Sequence, residues 1–219
     1  GSKRSGNAMT RTRLSQVDYR LRKDLKSNDN HKNRQYARHC LYYMTKLIYH
    51  SLIRPINKEI GAIKWKDVEI KPSKNIDGGY TAIISLSEGK RKGKPMLYMT
   101  NFTGTVYLLR WRKYCIEYGL GNDDDWVFAN YDGGRAVLWH VGTTLRRRLI
   151  KYDLRENEDG SNITLYSFRA TAITQRIRDG HDVGQIAKSA NTSLMSISKS
   201  YHVEFMRQDV DRFADNWIK

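Results

Sequence analysis

The chain has 219 residues, with 39 Lys and Arg against 23 Asp and Glu and a formal net charge of +16 at pH 7. Hydrophobic residues make up 39%, which suffices for a buried core and excludes a wholly disordered chain. No apolar run approaches the roughly 18 residues of a transmembrane span, and no secretory signal is expected at the start. The two cysteines, Cys40 and Cys115, are too few for a disulfide framework or a four-cysteine zinc site, so we expect a reducing, cytoplasmic compartment.

The excess of positive charge predicts a polyanionic partner, because a collectively positive surface attracts polyanions and nucleic acid is the commonest of them in a cell. A membrane surface is the weaker alternative, since no long amphipathic helix shows a dedicated basic face. We therefore expect the chain to bind nucleic acid and no membrane.

The first third of the chain is predicted to be helical. Residues 1–13 are basic and poor in apolar groups, which indicates a flexible leader. Helical spacing follows, with Ser15 and Asp18 as a weak capping box at the helix start. A second helix is marked by apolar residues over 40–48, and Pro55 is suited to the first turn of a third, short helix.

The apolar pattern then changes to the alternation of β-strands. Residues 68–70, 80–86 and 95–100 are each predicted to be strands. Asp77-Gly78-Gly79 is a turn signal between the first two, and the basic segment 89–94 forms the next hairpin tip. These features predict a small antiparallel sheet.

Helical spacing dominates the remainder of the chain. It covers residues 106–118, 136–151, 167–179, 182–189, 193–201 and 204–218. The predicted fold is therefore a mostly helical α+β domain with one three-stranded antiparallel sheet.

Two arginines and a tyrosine are candidates for phosphate chemistry. Arg54 stands before Pro55 at the expected start of a helix, where its planar fork and the helix dipole would both favour a phosphate. Arg169 lies in a small, apolar helical stretch and is expected to be partly buried. A structural pair with a carboxylate is an equally open role for Arg169, since buried arginines are rarely unpaired. Tyr201 stands at a helix end, where packing is the ordinary role of a tyrosine.

The stretch 165–203 resembles the C-terminal signature of the tyrosine recombinases, the phage integrase family. That signature contains H-x-x-R, a glycine with isoleucine or leucine six positions later, L-G-H, and a tyrosine nine residues after the last histidine. The matching positions are, in chain order, Tyr166 and Arg169, Gly180 and Ile186, Ala190-Asn191-Thr192, and Tyr201. Tyrosine and threonine thus replace the two histidines; both can donate hydrogen bonds to phosphate oxygens, but neither is charged near pH 7.

An earlier stretch resembles the family form G-x-R-x-x-E followed by L-x-W-x-D-I. Arg54 and Glu59 match the first part, and residues 64–68 match the second. Glu59 stands five residues after Arg54 instead of three, which indicates a small insertion. The basic hairpin corresponds to the family's β-strand lysine, for which Lys90 is the candidate and Lys92 the register alternative. The resemblance covers residues 14–203 and predicts a tyrosine recombinase catalytic domain there.

The resemblance implies DNA strand cleavage by transesterification, without a metal, ATP or any other cofactor. A tyrosine attacks the scissile phosphate and leaves a 3′-phosphotyrosine and a free 5′-hydroxyl. The implied catalytic residues are Arg54, Lys90, Tyr166, Arg169, Thr192 and Tyr201. Phosphate contacts are expected from Arg91, Lys92, Lys94, Arg146, Arg147 and Arg148, although the run 146–148 is equally consistent with a solvated helix face.

The implied partners are double-stranded DNA, further copies of the chain in a tetramer on DNA, and accessory DNA-bending proteins, with a place in the nucleoid. Too few residues precede Leu14 for the helical core-binding domain of such integrases, so we expect an isolated catalytic domain, with a natural short form as the alternative. The segment 204–219 is predicted to be an amphipathic helix that docks on its own domain or on a neighbouring protomer. A type IB topoisomerase-like enzyme and a catalytically weakened DNA-binding relative are the alternatives.

Overall fold

The computed structural model describes residues 8–27, 31–73, 77–87 and 95–201. Its α-helices are α1 (Arg11–Leu25), α2 (Lys32–Ser51), α3 (Phe102–Ile116), α4 (Leu138–Lys151), α5 (Leu165–Arg178) and α6 (Val183–Ser189), and residues 194–201 form α7. Its strands are β1 (Val68–Pro72), β2 (Tyr80–Leu86) and β3 (Met96–Met99). The predicted fold, mostly helical with a three-stranded antiparallel sheet, is confirmed.

The first helix begins earlier than the sequence pattern predicted. Thr10 is its N-cap, and the Thr10 hydroxyl accepts a hydrogen bond from the backbone N–H of Arg13 at 3.1 Å. Met9 is buried, and its N–H donates to Thr171 Oγ1 at 2.8 Å. Residues 8–13 therefore pack with the domain, and Thr10 has the capping role that was predicted for the later Ser15 pair.

The chain turns sharply after α2. Leu52 has a φ of 59°, in the left-handed region, and it redirects the chain toward Arg54. The predicted third helix at Pro55 is wrong: residues 53–59 form a turn, and a short 3-10 turn, Ile60–Ala62, follows. The dipole of an α-helix N-terminus therefore does not contribute at Arg54.

The sheet has the order β1-β2-β3, and both neighbouring pairs are antiparallel. Ile84 and Tyr98 lie opposite each other on the face that packs into the domain, and both are fully buried. Leu97 and Met99 alternate with them and face outward. The alternation directs the Tyr98 side chain inward, toward the turn that carries Arg54.

Helix α2 is the centre of the fold and packs against α1, α3, α4 and α5. The main core contains fully buried Trp65, Trp111 and Met44. A smaller cluster joins Leu52 to α5, α6 and α7 and includes Tyr201. Among the described residues, no helix combines the length and apolarity needed to cross a membrane.

Gly104 sets the close packing of α3 on α2. A Cβ at this position would lie 2.5 Å from His50 Cβ and 3.0 Å from Thr100 Cβ. We expect Gly104→Ala to lower the free energy of unfolding by about 1–3 kcal/mol, measured by urea denaturation. Gly142→Ala in α4 is the matched control, because a Cβ there meets no atom within 4 Å. Equal shifts in the two variants would contradict this packing.

His50 is held as a neutral side chain beside α3. Its ring stacks on Tyr107 with 5.8 Å between the ring centroids. Burial lowers the pKa of His50 to about 4, and the charges of Lys46 and Arg176 act in the same direction.

This lowered pKa predicts a loss of stability in acid. The unfolded chain takes up a proton as the pH falls through about 6.5, whereas folded His50 takes it up only near pH 4, so stability present above 6.5 is lost on the way down. We expect this loss to be on the order of 2–3 kcal/mol and to be absent from His50→Gln. Urea unfolding of both proteins from pH 7 to pH 4 measures it, and parallel curves would refute it.

Candidate active site

Two arginine side chains from distant parts of the sequence meet at one loop between α6 and α7. Arg54 Nη2 donates to the carbonyl oxygen of Asn191 at 2.5 Å, and Arg169 Nη2 donates to that of Ala190 at 2.9 Å. The two acceptors are consecutive backbone carbonyls, so the two guanidinium groups bind the same short segment of the loop. The loop therefore holds the positive charges of Arg54 and Arg169 in one part of the domain.

Arg169 is 7% exposed and is anchored at both ends of its guanidinium group. Besides the bond to Ala190, its Nη1 donates to the carbonyl oxygen of Leu52, at the left-handed end of α2. Burial lowers the pKa of Arg169, and the nearby charge of Arg54 lowers it further. The hydrogen-bond partners described for Arg169 are backbone carbonyls. They differ from the carboxylate that the sequence analysis kept open as a structural partner.

Arg54 is paired with a fully buried carboxylate. Its Nη1 lies 3.0 Å from Glu59 Oε1 and 3.4 Å from the hydroxyl of Tyr98, and that hydroxyl donates to Glu59 Oε2. Glu59 and Tyr98 are both fully buried. Burial raises the pKa of Tyr98, and its bond to Glu59 raises it further. The turn after Pro55 thus accommodates the inserted residues and still brings Glu59 to Arg54.

Tyr201 lies at the same end of the domain. It is 9% exposed and packs in the small cluster with Leu52 and Ile197. Burial raises the pKa of Tyr201 to about 12, while the positive charge of Arg169 acts in the opposite direction. The hydroxyl is therefore protonated at neutral pH, and it must lose its proton during any nucleophilic attack.

Tyr166 and Thr192 occupy the places of the two family histidines. Tyr166 is 49% exposed in the first turn of α5, one turn before Arg169. Thr192 directly follows Asn191 and is half-buried, and its N–H donates to the carbonyl oxygen of Ala187 at 3.0 Å. Their roles toward a phosphate stay predictions.

The basic run on α4 is divided in two. Arg146 and Arg147 are exposed, whereas Arg148 is half-buried with its Nε 3.6 Å from Asp24 Oδ2. Arg148 thus links α4 to α1, and its expected DNA contact competes with this ion pair. The candidate general acid, Lys90, lies outside the described residues. The same holds for the other predicted DNA contacts, Arg91, Lys92 and Lys94, and for the segment 204–219.

Sequence reasoning missed three features of this cluster. Tyr98 was given no role in the site, although its position in a predicted strand was a usable signal. The left-handed turn at Leu52 has no sequence signal, because leucine rarely adopts that conformation. The Asn191 side chain donates from Nδ2 to the carbonyl oxygen of Leu97 at 2.7 Å, a contact that no motif indicates.

Comparison with known proteins supports the fold assignment. No protein family model matches the chain, and no curated protein matches it. Among solved structures, it is similar to XerH site-specific recombinase bound to difH substrate in a pre-cleavage complex, with a TM-score of 0.68 and 19% identity over 99% of this chain and 56% of that one. It is similar to XerA recombinase with a TM-score of 0.66 and 13% identity, over 94% and 65% of the two chains.

A third similar structure is the catalytic core of lambda integrase, with a TM-score of 0.56 and 11% identity over 84% of this chain and 90% of that one. The chain spans between half and two thirds of the length of the XerH and XerA structures. The resemblance predicted from the sequence is therefore confirmed at the level of the fold: the chain has the fold of a tyrosine recombinase catalytic domain.

Proposed function

We propose that the chain is the catalytic domain of a site-specific recombinase or integrase, which cuts and rejoins DNA through a 3′-phosphotyrosine. The observation that carries this proposal is the pair of guanidinium groups of Arg54 and Arg169, fixed on adjacent carbonyls and close enough to Tyr201 for Arg169 to oppose the rise in its pKa. A buried tyrosine beside the positive charge of Arg169, with Arg54 bound to the next carbonyl of the same loop, suits attack on a phosphodiester.

The proposed reaction has two balanced steps. The Tyr201 oxygen attacks the scissile phosphorus and releases its proton to water, the bond from phosphorus to the 5′-oxygen breaks, and the leaving oxygen takes a proton from Lys90. A 5′-hydroxyl of another strand then attacks the 3′-phosphotyrosine and returns its proton to Lys90, while the bond from phosphorus to the tyrosine oxygen breaks and that oxygen takes a proton from water. Since a covalent intermediate retains the phosphodiester energy, the reaction needs no ATP.

The arginines would stabilise the transition state. Negative charge grows on the two non-bridging oxygens, and preorganised donors aimed at such oxygens are among the largest contributors to catalysis. The described bonds of Arg169 to Leu52 and Ala190 occupy two of the five N–H donors that an arginine carries, which leaves donors for a phosphate. Tyr166 and Thr192 would add uncharged hydrogen bonds.

Double-stranded DNA is the proposed partner. The net charge of +16 favours a polyanion, and XerH is crystallised with its difH substrate. Exposed Arg146 and Arg147 on α4 would contact backbone phosphates, together with the basic hairpin residues Arg91, Lys92 and Lys94. We propose a tetramer on DNA, accessory DNA-bending proteins and a nucleoid location, as in the family that the chain resembles.

Covalent trapping tests the proposed function. DNA that is linked to the protein in cells would be sequenced to find the site, and a duplex with a nick beside that site would then trap the intermediate in vitro. We expect a denaturant-resistant complex at one sequence and recombinants from two copies of that site. Relaxation of supercoiled plasmid without site preference would favour the topoisomerase alternative, and binding without any covalent complex would favour the weakened relative.

A further inference from the structure

Asn191 occupies a backbone position that favours glycine. Its φ is 47°, in the left-handed region, where asparagine is among the few side chains that are tolerated. The family signature has a glycine at the matching place. Backbone conformation therefore explains why a residue such as asparagine can stand here, but it does not explain what the side chain does.

The side chain of Asn191 ties the arginine-binding loop to the sheet. Its Nδ2 donates to the carbonyl oxygen of Leu97 in β3 at 2.7 Å, while its own carbonyl oxygen accepts from Arg54 Nη2 at 2.5 Å. The preceding carbonyl, that of Ala190, accepts from Arg169. One side-chain amide thus anchors the two acceptors that hold both guanidinium groups.

Strand β3 also supports the other side of Arg54. Tyr98 follows Leu97 in the strand, and its hydroxyl donates to Glu59, which pairs with Arg54 Nη1. Consecutive residues of one strand therefore fix both ends of the guanidinium, one through Asn191 and the other through Glu59. This arrangement resists rotation of the group about its long axis.

We propose that Asn191 is a positioning residue for DNA cleavage, whose amide bond to Leu97 holds Arg54 in the orientation that the scissile phosphate requires. The inference rests on the proposed function. It assigns the asparagine a role that a glycine at this position cannot fill, because glycine provides the backbone conformation and the carbonyl without the bond to β3.

The variant Asn191→Gly isolates this role, because it keeps the left-handed φ at little cost and removes only the side-chain amide. We expect cleavage of a nicked DNA substrate to slow by about 10- to 100-fold, with DNA affinity within about twofold of the unaltered chain. Asp153→Gly is the matched control, since Asp153 also has a left-handed φ, 54°, but follows α4. It should cleave at the original rate.

A substrate with a methylphosphonate at the scissile position distinguishes a positioning role from a merely structural one. A merely structural defect would slow cleavage of both substrates equally. The methylphosphonate lacks the negative charge that the arginines neutralise, so loosening Arg54 matters less. We expect the loss in Asn191→Gly to shrink to within about threefold on this substrate, and Arg54→Ala to follow the same pattern. An equal loss on both substrates, or an unchanged rate on the phosphodiester, would overturn the assignment.

Arginine side-chain NMR decides the positioning role without any activity. Hindered rotation of a clamped guanidinium separates its Nη signals, so we expect separate signals for Arg54 in the unaltered chain and merged signals in Asn191→Gly. Arg112, which is bonded to Asp123 and Gly121, serves as the internal reference and should not change. Arg54 signals that stay separate in Asn191→Gly would refute the clamp. Absence of cleavage by the unaltered chain would instead refute the proposed function. The NMR signals would still show whether Asn191 holds the Arg54 guanidinium.

Discussion

Replacement of Tyr201 by phenylalanine is expected to abolish the covalent DNA complex while DNA binding persists. Phenylalanine keeps the ring that packs with Leu52 and Ile197 in the buried cluster, so the fold should be retained. It lacks the oxygen that forms the bond to phosphorus. Denaturing electrophoresis with a nicked, end-labelled substrate measures the yield of the complex.

Tyr166→Phe is the control for this substitution. Tyr166 is half exposed at the start of α5 and is proposed only as a hydrogen-bond donor to the phosphate. Its loss should lower the rate of cleavage by about 10-fold or less and leave the yield of the complex measurable. Mass spectrometry of the trapped peptide identifies the attached tyrosine. A covalent complex in Tyr201→Phe, or a labelled peptide without Tyr201, would contradict the assigned nucleophile.

The parts of the fold that were predictable from the sequence are those with a strong local period. The strand predicted over residues 80–86 is β2 (Tyr80–Leu86), because the segment is rich in β-forming residues and Ala82, Ile84 and Leu86 fall at every second position on one buried face. The helix predicted at Pro55 does not form, although Ile60 and Ile63 are at helical spacing. Both isoleucines are fully buried, Ile60 from a short 3-10 turn and Ile63 from the extended residue that follows it, so burial alone accounts for the spacing.

The candidate site was predictable only where a motif fixed it. The family signature gave Arg54, Arg169 and Tyr201 from their spacing, and the structure brings them to one end of the domain. It could not give the partners of Arg169, because backbone carbonyls are present at every residue and carry no sequence signal. It also could not give the contact between Asn191 and Leu97, which depends on how α6 and β3 meet in three dimensions.

Arg169→Lys should lower the rate of DNA cleavage by about 100- to 1000-fold, the usual effect of removing a preorganised donor from a developing oxyanion. Lysine keeps the positive charge, but its ammonium is a single point and cannot serve Leu52, Ala190 and a phosphate with the geometry of a planar fork. Arg169→Ala should show the same loss and also unfold more easily, because two buried carbonyls lose a partner at about 1–3 kcal/mol each.

Arg176→Lys separates the effect on catalysis from the effect on stability. Arg176 lies seven residues after Arg169 on α5, about 10 Å along the helix axis, and its Nη2 donates to the carbonyl oxygen of His50 at 3.0 Å. Burial lowers the pKa of Arg176 as it does for Arg169, but the described contacts of Arg176 do not involve the loop that holds Arg54. Both lysine variants should therefore show a comparable decrease in the free energy of unfolding, measured in urea. Only Arg169→Lys should also form the covalent complex more slowly, when the rate is calculated per folded molecule. If Arg176→Lys loses as much of that rate, Arg169 acts through the fold and does not contact the phosphate.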